Sequence, residues 1–219
     1  MGEMLVANMK DNLPLIIIRP IIVISTHSET FPGWIENTRD IDYVIDKYGK
    51  GLMRSFVGLP ETVLDVIPAD MVVNSMIIAS VARSKNLCRS LIYHIGSSSR
   101  NPFKFSDLVD GMHCYFSKNP WINKNDTLVH VGKKLTLFST TMDDFDKNKV
   151  FVCKRSELYR PYGLFEGIFD DQNVEKLRTV AKRVADKAFN LDPKNIDWKD
   201  YMMNVHFPGL VKHSMRSKM

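Results

Sequence analysis

Apolar residues crowd into one early run, where Leu15, Ile16, Ile17 and Ile18 are interrupted by Arg19-Pro20 and resumed by Ile21, Ile22, Val23 and Ile24. A half-exposed strand alternates apolar and polar positions, so this unbroken run predicts a strand buried on both faces, as in a parallel α/β sheet. The pattern then turns polar at Ser25, Thr26, His27 and Ser28, and aromatic at Phe31-Pro32-Gly33-Trp34. Loops beyond the carboxyl ends of such strands are where ligands sit. Upstream, Met4, Leu5, Val6 and Met9 keep a helical spacing that Asn12 and Pro14 end. That helix opens at Met1 with no cap and no strand before it, and reads as the end of a longer unit.

Further along, Ile41, Val44, Ile45 and Tyr48 predict a helix over Ile35–Tyr48, ended by Gly49 and Gly51. Leu52–Val57 and Val63–Ile67 read as short strands. Met71–Arg83 reads as a helix apolar on most faces and therefore buried, entered through Pro68 with Asp70 in its first turn. Leu91–Ile95 is another expected buried strand, before the Gly96-Ser97-Ser98-Ser99 turn. This alternation fits the second half of a doubly wound sheet. The composition shifts at Arg100-Asn101-Pro102, which divides the chain into residues 1–100 and 101–219. Beyond it, Ser106 is expected to cap a helix over Asp107–Phe116, and Asp126–Phe138 to be extended. Thr140–Asn148 reads as a polar loop and Val174–Phe189 as a helix entered from Asp170-Asp171. The last expected helix, from Trp198 to about His206, is capped by Asp197 and stopped by Pro208-Gly209. There is no internal repeat.

Composition narrows this picture only a little. A chain of 219 residues, 44% hydrophobic and 25% charged, can bury a core. Its formal charge of +5 is spread along the chain, and basic and aromatic residues do not interleave as in a nucleic-acid module. Cys88, Cys114 and Cys153 are too widely spaced for a Cys-x-x-Cys pair, which points to a reducing compartment. No run reaches the roughly 20 apolar residues that span a bilayer, and no secretory signal pattern opens the chain. Gly49-x-Gly51 lacks the third glycine of a dinucleotide fingerprint and ends a helix instead of opening one. The six histidines show no metal-ligand spacing.

Longer motifs carry more. GEML, LPLIIIRP, TFPGW, DVIPADMVVNSMI and LIYHIGSS, in this order, resemble the plant alcohol-forming fatty acyl-CoA reductases. NPFKFSDL, YFSKNPWINK, LFEGIFDDQNVEKLR and LDPKNIDWKDYMMNVHFPGLVK are similar to the same family's C-terminal domain. The resemblance implies an α/β fold: the C-terminal part of an extended short-chain dehydrogenase-like Rossmann domain in residues 1–100, then a mostly helical reductase C-terminal domain in residues 101–219. Between Ser139 and Lys154 the family carries a longer, more apolar helical stretch, a candidate element for membrane association or an acyl channel. Polar Thr141–Lys149 stands there in this chain.

The resemblance implies reduction of a long-chain acyl-CoA by NADPH to a primary alcohol. In such reductases a tyrosine protonates the oxyanion, helped by a lysine four residues on, while a glycine-rich turn holds the pyrophosphate. By the resemblance these elements are expected before Met1, and none of the seven tyrosines here has a lysine four residues on. The chain alone is therefore expected to be inactive. What the resemblance leaves for this chain is Pro20 and Val23 beside the nicotinamide, and Thr26, Phe31 and Trp34 as an acyl-chain wall. The alternative is a non-catalytic acyl-binding or interaction module that pairs with a full-length reductase. No nucleic-acid or metal partner is expected; peripheral membrane association is a further expectation. An intracellular site is expected, at the endoplasmic reticulum surface or in the cytoplasm, with the Ser-Lys-Met end as a variant peroxisomal signal.

Overall fold

The computed structural model describes residues 2–11, 13–87, 92–123, 125–138, 156–184 and 189–215. The expected loop at Thr140–Asn148, the Thr141–Lys149 departure, Cys88, Cys153 and the Ser-Lys-Met end lie outside these residues. Four strand pairs are present among the described residues, and three of them are parallel. The early apolar run does not form one strand. It divides at Ile21 into β1 (Ile17–Pro20) and β2 (Ile22–Ile24). Here β1 pairs with β5 (Ile92–Ile95), whereas β2 pairs with β4 (Val66–Pro68). The switch is visible in consecutive amides: Ile21 N–H donates to Ile95 O at 3.1 Å, and Ile22 N–H to Asp65 O at 3.2 Å. Successive N–H groups of a strand point to opposite edges, so β5 and β4 flank the run from either side in staggered fashion.

That stagger corrects the expectation of burial on both faces. Ile16, Ile17 and Ile18 are only half-buried, Pro20 and Val23 are exposed, and Ile24 alone of the run is buried. The preceding helix α1 (Gly2–Met9) covers little of it, because none of its residues is buried.

Helix α2 (Asp40–Gly49) starts later than its spacing suggests, with residues 35–39 outside any helix or strand. It buries Ile41, Val44, Ile45 and Tyr48 on one face. After β3 (Ser55–Val57), β4 leads straight into α3 (Ala69–Ser84) through Pro68, whose φ of −62° suits a helix entry. This helix is buried on one side only: Val73, Met76 and Ile77 stay exposed, at i, i+3 and i+4. α4 (Phe105–Lys118) is capped at Lys104, not at Ser106; the Lys104 N–H donates to Asp107 Oδ2 at 3.2 Å. The Asp126–Phe138 stretch resolves into β7 (Leu128–Val129), antiparallel to β6 (Trp121–Ile122), and β8 (Thr136–Phe138), parallel to β3.

α5 (Ser156–Gly163) and α6 (Gln172–Val184) follow. The last helix, α7, opens at Trp198–Asp200 with Asp197 Oδ1 accepting from Asp200 N–H at 3.0 Å, as expected. Pro208-Gly209 does not stop it. Residues 201–206 widen into a π-helix, where Phe207 N–H donates to Met202 O, and the chain continues through Phe207–Leu210 to Val211–Met215. A π-type turn just ahead of the proline relieves the loss of its N–H.

One apolar core joins residues on both sides of Arg100, including Ile24, Ile45 and Tyr93 with Leu108, Phe116 and Phe207. The tightest junction is backbone on backbone. Gly33, at φ +77°, lies against α7, where a methyl group on it would sit 2.5 Å from Val205 O. A methyl group on Gly209 would be driven into the Gly33 carbonyl and Cα. Gly209→Ala is therefore expected to cost about 1–3 kcal/mol or more and to lower the melting temperature. A melt unchanged by that substitution would show that the loop and the helix do not touch.

Candidate functional site

Two aspartates bracket β4 and the start of α3, and each gathers a loop that follows a different strand. Asp65 Oδ1 accepts from the N–H groups of Ser97 at 2.7 Å and Ser98 at 3.1 Å, in the turn after β5. Asp70 accepts from the N–H groups of His27 at 2.9 Å, Ser28 at 2.8 Å and Glu29 at 3.0 Å, in the loop after β2. Burial alone would raise the Asp70 carboxyl, but these backbone donors outweigh it and hold the group below its ordinary 3.8.

The same loop docks onto α7 through buried polar groups. Ser25 Oγ lies 2.9 Å from His206 Nδ1 and 3.0 Å from the Tyr201 hydroxyl, which donates to the Ser25 carbonyl at 2.7 Å. His206 Nε2 faces Asp42 Oδ1 at 3.0 Å. Burial drives the Asp42 carboxyl above its usual range, and the neighbouring imidazole works against that rise. Serine, histidine and aspartate stand here in the order that elsewhere activates a nucleophile. Ser25 is only 1% exposed and His206 0%, so the group acts as a bolt between β2 and α7.

Between β1, β2, α2, α4 and α5 lies a cavity of about 860 Å³. β1 and β2 supply Pro20, Ile21 and Ile22; α2 supplies Ile41 and Val44; α4 supplies Phe105 and Leu108. Tyr159, Tyr162, Phe165 and Phe169 complete the wall from α5 and the segment after it, with Phe56 from β3. The wall is predominantly apolar. Its polar margin contains Arg19 and His94, whose Nε2 lies 3.1 Å from an Arg19 guanidinium nitrogen. His94 Nδ1 is 3.2 Å from the Asp170 carbonyl, which can only accept. The proton therefore sits on Nδ1, and Nε2 accepts from Arg19.

Of the residues singled out from the sequence, Pro20 lines this cavity, while Val23 is exposed on the neighbouring strand. Thr26 is buried in its own loop, where its Oγ1 donates to Phe31 O and accepts from Trp34 N–H at 3.0 Å. Phe31 and Trp34, exposed at 65% and 45%, point away from the core. Thr26, Phe31 and Trp34 are thus brought together with each other, but they do not line the cavity. Sequence reasoning passed over Asp65, Asp42, His206 and Tyr201 as site-forming residues. Their partners are distant along the chain, and the one local signal was DVIPAD, with an acid at either end of a buried strand.

Parallel strand pairs, loops gathered at their carboxyl ends and flanking helices define an α/β protein with a predominantly apolar cavity. The sequence comparisons agree. Residues 1–76 match an NAD-binding family model described as male sterility protein, and residues 147–217 match a second model with the same description. The chain is 42% identical to the alcohol-forming fatty acyl-CoA reductase of Simmondsia chinensis, over 97% of this chain and 50% of that protein. It is 40% identical to the probable fatty acyl-CoA reductase 4 of Arabidopsis thaliana (99% and 51%) and 38% identical to fatty acyl-CoA reductase 2 of Homo sapiens (100% and 47%). The chain is similar over nearly its whole length to fatty acyl-CoA reductases, and it spans about half the length of the curated relatives it matches.

Asp70→Asn is expected to weaken the hold on the loop after β2 and to lower stability at pH 7 by about 1–3 kcal/mol. A folded-state pKa below the unfolded one contributes stability that is complete above about pH 4 and is lost as pH falls through the folded value. The gap between wild type and Asp70→Asn in denaturant melts should therefore close in acid. A gap independent of pH would contradict this role for the carboxylate.

Proposed function

We propose that this chain is the acyl-handling portion of an NADPH-dependent alcohol-forming fatty acyl-CoA reductase, an enzyme that converts long-chain acyl-CoA to a primary alcohol. Residues 1–100 are read as the carboxyl-terminal part of a short-chain dehydrogenase-like Rossmann domain, and residues 101–219 as the reductase C-terminal domain. The observation that carries this reading is the apolar cavity. Its volume of about 860 Å³ falls in the range of small-molecule sites, and its aliphatic and aromatic walls suit a hydrocarbon chain.

A nicotinamide cofactor would supply hydride in such a reaction. Among the described residues, the strand-end loops do not fit its pyrophosphate. A dinucleotide phosphate needs free backbone N–H groups, but those of Ser97 and Ser98 are taken by Asp65, and those of His27, Ser28 and Glu29 by Asp70. A pyrophosphate there would meet a carboxylate. Pro20 and Val23, on the β1–β2 run, remain the proposed neighbours of the nicotinamide ring, and no step of hydride transfer is assigned to this chain by itself. The cavity takes the acyl chain, excludes water from it and directs its thioester end toward the margin at Arg19 and Pro20. Phe31 and Trp34 stand as an exposed apolar lip outside that cavity.

The test uses the purified chain with a fluorescent long-chain fatty acid, displaced by palmitoyl-CoA. Saturable binding that palmitoyl-CoA reverses is expected, weakened at least about tenfold by Val63→Trp, which places an indole in the cavity wall. NADPH should not be consumed. Absence of saturable binding would overturn the acyl reading, and alcohol formation by this chain alone would overturn its dependence on other residues.

A further inference from the structure

The acidic and basic residues on the cavity's lining are Arg19, Asp40, Asp65 and His94. Asp65 is already committed to the Ser97 and Ser98 amides, and Asp40 stands exposed at the start of α2. Arg19 and His94 act together. With its Nε2 lone pair turned to the guanidinium and its Nδ1 proton to the Asp170 carbonyl, His94 fixes Arg19 as a neutral acceptor, adding no charge of its own. The remaining guanidinium edge is presented as a fork, the geometry that matches a carboxylate.

A carboxylate already occupies that fork. Arg19 Nε donates to Glu3 Oε1 at 2.9 Å, and a second guanidinium nitrogen donates to Glu3 Oε2. Glu3 belongs to α1, a helix in which no residue is buried. The pair is open to solvent, with side chains 40% and 45% exposed, so it contributes little to stability and is readily exchanged for another anion. Next to it, Pro20 and Phe169 begin the apolar wall.

We infer that Arg19, positioned by His94, anchors the oxygen-bearing head of a long-chain carboxylate or acyl group at the mouth of the cavity. Glu3 holds the same place as an internal competitor until the ligand displaces it. This assignment rests on the acyl-cavity reading above and adds the residues that set which end of the chain faces out. It makes a free fatty acid, the hydrolysis product of an acyl thioester, a ligand of this site. The head binds by charge and the tail by burial, so the two contributions separate in a comparison of ligands with equal tails.

The experiment compares hexadecanoate with 1-hexadecanol by displacement of a fluorescent fatty-acid probe, in the wild-type chain and in Arg19→Met, Glu3→Gln and Val63→Trp. Arg19→Met should weaken hexadecanoate about threefold to tenfold and leave hexadecanol within about twofold. Glu3→Gln should tighten hexadecanoate alone. Val63→Trp should weaken both ligands alike. Arg19 and Glu3 are exposed, and unchanged melts of the two variants confirm that folding is not the readout. Equal effects of Arg19→Met on both ligands, no effect on either, or a Glu3→Gln variant that binds hexadecanoate no better would each overturn the anchor. If neither ligand binds the wild-type chain, the acyl cavity itself falls; if Val63→Trp weakens both while Arg19→Met is silent, only the anchor does.

Discussion

A carboxylate removed from water must be met by donors, and for Asp65 and Asp70 the donors are loop amides. Asp65 and Asp70 satisfy that demand with backbone N–H groups from the two loops that follow β5 and β2. The requirement is reciprocal, because those loops bring N–H groups that no strand or helix pairs. One short strand and one helix entry therefore fix the shape of the whole strand-end surface. The same contacts use up the amides that an anion would otherwise find there, so the chemistry of the surface is set by its means of support.

Everything beyond the loops inherits this placement. With His27, Ser28 and Glu29 held, Ser25 is aimed at Tyr201 and His206, and Gly33 is laid against Gly209. The terminal helix is thereby locked to the parallel strands: the buried Ser25 hydroxyl meets His206 and Tyr201, and Asp42 faces the other nitrogen of the imidazole. α4 packs from the other side through Phe116, which touches Gly49 and the Tyr48 ring. The cavity is the space left between the β1–β2 run, α2, α4 and α5.

Much of the local structure was legible in the sequence. Helical spacing located α2, α3 and α6, and Asp197 caps its helix as its type and position suggest. Resemblance in long ordered motifs supplied the family, which periodicity alone could not. What escaped was non-local. The run from Leu15 to Ile24 gives no hint that its hydrogen bonds change partner at Ile21, because the partners lie in two other segments. Pro208-Gly209 looks like a stop unless the π-type widening ahead of it is known. Asp70 reads as a helix-dipole residue, and its hold on His27 spans 43 positions. Thr26, Phe31 and Trp34 have the right chemistry for an apolar wall, but their loop closes on itself through the Thr26 hydroxyl and turns two of them outward. The apolar cavity instead draws aromatic residues from 159–169, far along the chain from the β1–β2 run they face.

The most direct test of this account is amide hydrogen exchange at His27, Ser28, Glu29, Ser97 and Ser98, resolved by nuclear magnetic resonance. These residues lie in loops outside any helix or strand. If the two carboxylates organise the strand-end surface, their amides exchange orders of magnitude more slowly than those of an open loop and approach the protection of the β4 strand. Exchange at unprotected rates, with the neighbouring strands still protected, would contradict the claim on which the loops, the bolt to the terminal helix and the cavity all depend.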